Sequence, residues 1–120
     1  MTVIRFEDLQ VWQEAVSLAA EIYRVSKHEG LAKDFGLRDQ LQRAAVSIAS
    51  NIAEGKERET IAEFIRYLYI AKGSSGELKT QLIIAERIGS IDEGSAKSLI
   101  LNAEQVSAKL GSLIRTLKRK

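Results

Sequence analysis

Thr60-Ile61-Ala62-Glu63-Phe64-Ile65-Arg66-Tyr67-Leu68-Tyr69-Ile70-Ala71-Lys72-Gly73-Ser74-Ser75-Gly76-Glu77-Leu78-Lys79-Thr80-Gln81-Leu82-Ile83-Ile84-Ala85-Glu86-Arg87-Ile88-Gly89 keeps one helical register from end to end. Ile61, Phe64, Leu68, Ala71, Ser75, Leu78, Leu82 and Ala85 alternate steps of three and four, the spacing of one face of an α-helix. Thr60 with Glu63 has the form of a capping box at the start, and Gly89 is placed to end the helix. The spacing predicts a helix of about 30 residues, roughly 45 Å long. Gly73 and Gly76 each cost about 1 kcal/mol relative to alanine inside a helix, but the phase is the same on both sides of them, so the helix is read as continuous.

The same periodicity recurs on both sides. A first helix is expected from about Asp8 to His28, with Leu9, Trp12, Val16, Ala19 and Tyr23 on one stripe and Val11, Ala15, Leu18, Ile22 and Val25 on a second, and Gly30 as a left-handed terminator. Trp12 is read as core. A second helix, about Leu37 to Glu54, places Leu37, Leu41, Ala45, Ile48 and Ile52 inward and ends at Gly55; its alanines let a neighbour approach closely. The fourth follows a turn around Ser90 to Asp92 and repeats Ala96, Leu99, Ala103, Val106, Leu110, Leu113 and Leu117. Four amphipathic helices with short connections bury their stripes most simply as an all-α, antiparallel, up-down-up-down four-helix bundle, here expected as one domain over residues 1–120.

The composition agrees. The chain of 120 residues has no proline, the residue that most often breaks helices, and no cysteine, which removes disulfides, thiolate metal sites and thiol nucleophiles. The N-terminal Met1 to Asp8 lacks the basic and apolar regions of a signal peptide, and no apolar run approaches the roughly 20 residues of a membrane span, so a cytoplasmic protein with no membrane partner is expected. The formal net charge is +2. After Glu104 no acidic residue follows, while Lys109, Arg115, Lys118, Arg119 and Lys120 do; these cations are read first as complementing the dipole of the last helix.

Catalytic chemistry finds no footing. The sole histidine, His28, sits at the polar end of the first helix, so no pair of Glu-x-x-His units exists for a di-metal bundle. Glu14, Glu21, Glu63, Glu77 and Glu86 fall between core positions, and the serines lack a base in a recognisable arrangement. The Gly73–Gly76 segment lacks the strand and the Gly-Lys-Ser/Thr ending of a phosphate loop. No catalytic residue, metal ligand or cofactor is assigned, and the protein is read as a non-enzyme. Gln40, Ser47, Asn51, Ser74 and Glu77, at the margins of the core, are read as a polar network that fixes helix register or a subunit contact, with a ligand site as the alternative.

Two surfaces are singled out. Ile65, Tyr69, Gly76 and Ile83 lie about 120 to 160° around the third helix from its core line, with Gly73 beyond them, where a monomer would carry charges; they are read as an interface between copies of the chain. Arg43, Arg58, Arg66, Lys72 and Lys79 are candidate contacts to RNA or DNA on an assembled basic surface. A protein partner recruited by the oligomer is the competing expectation.

The stretch Gln40-Leu41-Gln42-Arg43-Ala44-Ala45-Val46-Ser47-Ile48-Ala49-Ser50-Asn51-Ile52-Ala53-Glu54-Gly55 closely resembles the signature of the bacterial 23S rRNA intervening-sequence (S23) proteins. Phe6 to Trp12, Glu63 to Leu68, Ala71 to Ser74 and Glu77-Leu78 are similar to other parts of that family. The resemblance implies a four-helix bundle and a homopentamer, and it implies no activity. That family is in turn similar to the accessory variability proteins of diversity-generating retroelements, basic bundles that bind nucleic acid; this chain departs from them in being only mildly basic.

Overall fold

The computed structural model describes residues 4–120 and, of Glu29, the backbone only; the N-terminal reading over Met1–Val3 lies outside the described residues. A single 3-10 turn, Phe6–Asp8, leads into α1 (Gln10–Val25), the short α2 (Glu29–Lys33), α3 (Phe35–Lys56), α4 (Ile61–Arg87) and α5 (Glu93–Lys118). All described regular structure is helical. The four long helices form a bundle 49 × 20 × 19 Å in extent, in which α3 packs on α4, α4 on α5, and α1 on both α3 and α5.

The order in which residues meet is reversed between α3 and α4 and between α4 and α5. Gly55 of α3 lies against Tyr67 of α4 and Ser47 against Ser74; Lys79 of α4 reaches Glu104 of α5 and Tyr69 reaches Lys118. The core fills with Ala15, Leu18 and Ile22 from α1, Leu41, Ala45, Ile48 and Ile52 from α3, Leu68, Ala71, Leu78 and Leu82 from α4, and Ala103, Val106 and Leu110 from α5. Complete burial of a leucine or isoleucine contributes about 1.5–3 kcal/mol, so these positions dominate stability.

α4 is continuous through Gly73 and Gly76, as its register predicts. The Thr60 hydroxyl accepts from the Glu63 amide at 3.1 Å, while Glu63 Oε2 accepts from Arg66 Nε at 3.0 Å. At the other end Gly89 adopts φ +79°, with Ser90 N–H donating to Ala85 O at 2.8 Å and Gly89 N–H to Glu86 O at 3.1 Å. This double closure satisfies carbonyls that the last turn would leave free.

Gly30 and Gly55 end no helix. The first helix stops at Val25, where Ser26 Oγ turns back to Ile22 O at 2.6 Å, and Gly30 lies inside α2. A Cβ on Gly30 would stand 2.5 Å from Ser90 O, so glycine is required there for close approach to the 88–92 turn. That approach seats Leu31 of α2 fully in the core. Gly55 is inside α3, and its missing side chain lets α4 close in. α3 begins earlier than its apolar pattern, because Asp34 Oδ1 accepts from the Leu37 amide at 3.2 Å.

On α1 the Val11–Ala15–Leu18–Ile22 stripe is the core, whereas Val16 and Tyr23 of the other stripe are exposed. Trp12 is partly buried against the core, edge-on to Phe6 with ring centroids 5.3 Å apart.

Candidate functional site

The polar edge between α3 and α4 is a bonded network. Ser47 Oγ and Ser74 Oγ lie 2.8 Å apart, and Asn51 Nδ2 donates to both Ser47 O (2.8 Å) and Ser47 Oγ (3.0 Å). Ser74 is almost fully buried, so this link crosses the helix interface at one register only. Gln40 and Glu77 are exposed and stand outside it.

The five cations predicted to contact nucleic acid are placed on three faces. Arg58, within the α3–α4 turn, and Arg66, in α4, stack against one ring, their guanidinium carbons 4.9 and 4.8 Å from the centroid of Tyr67. The hydrogen bond to Tyr67 raises the pKa of Arg58, and the hydrogen bond to Glu63 raises that of Arg66. Arg58 also pairs with Glu54 at 2.9 Å. Lys79 pairs with Glu104 at 2.8 Å across α4 and α5, and Lys72 donates to Ser107 Oγ at 3.2 Å. Arg43 lines a groove of about 400 Å³ between α1 and α3, with Tyr23, Asp39 and Val46. Three of the five charges are thus balanced by carboxylates within the chain.

Two further cations join Lys72. Lys118 Nζ donates to Tyr69 Oη at 2.8 Å and lies 5.2 Å from that ring's centroid. A Cβ on Gly111 would meet Lys72 Cε at 3.4 Å and Arg115 Nη1 at 3.5 Å, so both side chains lie over that glycine. The sequence signal for Arg115 and Lys118 is the absence of acids after Glu104; the partner on α4 becomes visible only once α4 and α5 are packed.

The residues predicted to join copies of the chain divide. Tyr69, Gly73 and Gly76 are exposed, and a Cβ on either glycine would meet nothing within 4 Å. Ile65 and Ile83 are half-buried, Ile65 packing on the core. Ile70 and Ile84, which lie further around α4, are 42% and 46% exposed, and Ile88 just beyond it is 59% exposed. At 100° per residue Ile70, Gly73, Ile84 and Ile88 share one outward ridge.

No group of three or more His, Cys, Asp or Glu among the described residues is arranged to hold a metal ion. No helix among them is long and apolar enough to cross a membrane.

A model of the family described as 23S rRNA-intervening sequence protein matches residues 7–112. No curated protein matches the chain significantly. Among solved structures, the chain is similar to a crystal structure of a protein with unknown function from the S23 ribosomal protein family of Bacteroides thetaiotaomicron, with a TM-score of 0.80 and 24% sequence identity over 87% of this chain and 97% of that one. That likeness shows the helical fold, and the family match over most of the length shows the kinship: the chain belongs to the 23S rRNA-intervening sequence protein family.

Proposed function

We propose that the protein is a non-catalytic, self-assembling helical bundle that binds RNA or DNA through the basic surface its copies share. The observation that carries the reading is the outward ridge of α4, where Ile70, Gly73 and Ile84 stand exposed on the longest helix of the bundle. Large apolar side chains exposed along one line of a charged protein, here with Glu77 between Ile70 and Ile84, mark a contact surface, and Gly73 beside Ile70 lets a second backbone come close. Assembly multiplies a small charge: five copies, the number the family resemblance implies, would carry five times the chain's +2. Phosphate contacts by lysine and arginine give strongly salt-dependent affinity with little base discrimination.

Sedimentation velocity at micromolar concentration tests the assembly. The expected result is a species several times heavier than the 13.3 kDa chain, reduced to the monomer by Ile70→Glu with Ile84→Glu at unchanged helicity. A wild-type monomer overturns the reading. Titration of the intact oligomer with a structured RNA at low salt tests the second half, and no binding there removes it.

A protein scaffold is a second reading, favoured by the open groove in which Tyr23 and Val46 are exposed beside Arg43. Affinity capture from the native host separates the two: a single stoichiometric protein without nucleic acid supports the scaffold.

A further inference from the structure

We propose that the seam between α4 and α5 formed by Tyr69, Lys72, Arg115 and Lys118 is the site that binds the phosphate backbone of a nucleic acid. The inference rests on the nucleic-acid reading above and moves its site away from Arg43, Arg58, Arg66 and Lys79.

Three observations converge on it. None of the ion pairs among the described residues involves Lys72, Arg115 or Lys118, whereas Arg58, Arg66 and Lys79 each hold a carboxylate. Lys72 from α4 and Arg115 from α5 both lie over Gly111, and with no carboxylate paired to either, a phosphate bound there is attracted by both. Lys118, held by the hydroxyl of Tyr69, is presented in one place instead of sweeping through solvent.

The shape selects a linear ligand. From Ser107, where Lys72 is bonded, to Arg119 the α5 axis advances about 18 Å, and α5 carries no acid over that length. The Lys79–Glu104 pair closes the upper end. A lone phosphate would engage one or two of these groups, while a chain of phosphodiesters engages the row. The half-exposed ring of Tyr69 adds a face on which an unpaired base stacks, a contact that tolerates any sequence.

The test is fluorescence anisotropy of a labelled single-stranded RNA 20-mer, titrated with the intact protein from 50 to 200 mM salt. Lys72→Gln/Arg115→Gln/Lys118→Gln is compared with Lys27→Gln/Arg87→Gln/Lys97→Gln, which removes the same charge from exposed positions off the seam. The seam variant is expected to lose roughly tenfold or more in affinity at low salt and about two in the slope of log K against log salt, and the second variant to lose far less. Arg115→Gln/Lys118→Gln, which spares the half-buried Lys72, keeps the test valid if the triple variant melts early. Equal losses in both triple variants mean diffuse charge and overturn the seam. Unchanged binding by a folded seam variant overturns it while the nucleic-acid reading stands. No binding by the wild type removes both, and loss of binding to phosphatidylserine vesicles without loss of RNA binding assigns the seam to membranes and also overturns it.

Discussion

Gly55 of α3 and Tyr67 of α4 touch backbone to side-chain root: a Cβ on Gly55 would stand 2.7 Å from Tyr67 Cβ and 3.1 Å from Phe64 Cδ1. Neither of those atoms is the free end of a flexible chain, so the helices would have to part. Gly55→Ala is therefore expected to destabilise by about 1–3 kcal/mol, despite alanine's helix propensity being better by about 1 kcal/mol. Urea denaturation checks it, and a stabilised variant would contradict the contact.

Gly73→Ala and Gly76→Ala should act in the opposite direction on the isolated bundle. With nothing within 4 Å, only the propensity gain remains, about 0.5–1 kcal/mol each. If α4 meets a second copy at these glycines, the same substitutions raise the monomer's melting temperature while weakening assembly. Calorimetry and sedimentation on one pair of samples read both effects.

Ser74→Ala leaves Ser47 Oγ with the Asn51 bond alone and is expected to cost about 1 kcal/mol. Ser47→Ala should cost a similar amount, and the double variant less than the two together, because the hydroxyls share one bond. A double-mutant cycle by thermal unfolding tests it; strict additivity would mean that the hydrogen bond carries no coupling.

Asp92 caps α5, accepting from the Ser95 amide at 2.9 Å, and its hydrogen bonds to the Ser95 side chain and then backbone hold its pKa below the usual aspartate range. A depressed carboxylate contributes stability that is present above its unfolded pKa and is lost as pH falls through the folded one. The melting temperature of wild type should thus drop as pH falls below about 4, with part of that drop removed in Asp92→Asn, which caps without titrating. Parallel curves for the two proteins would exclude Asp92 as a contributor.

The register of α4 was fully legible, because steps of three and four survive any residue chemistry and Gly73 and Gly76 sit on its outer side, where no contact depends on them. Leu31 was not, since α2 has five residues, too few for a periodic signal, and its burial depends on a turn sixty residues away. Glycine was read by its commoner meaning: only Gly89 needs a left-handed backbone, while Gly30 and Gly55 are glycine because of neighbours that the one-dimensional pattern does not contain. The cations followed the same rule. Arg58–Glu54 and Arg66–Glu63 are near in sequence, but Lys79–Glu104 and the Lys72–Arg115 meeting exist only across packed helices.

The two outward glycines of α4 also lower the cost of local opening in the middle of that helix. A helix opens locally where few contacts oppose the entropy of release, and on the outer side of residues 73–76 the glycines bring no side chain, although Thr80 Oγ1 donates to Gly76 O and Ser74 and Ser75 stay buried on the inner side. Amide hydrogens there are expected to exchange faster than those at 64–71 and 78–85 in dilute monomer, and to slow when copies associate. The centre of the longest helix thus becomes a built-in reporter of assembly, read by mass spectrometry without any label.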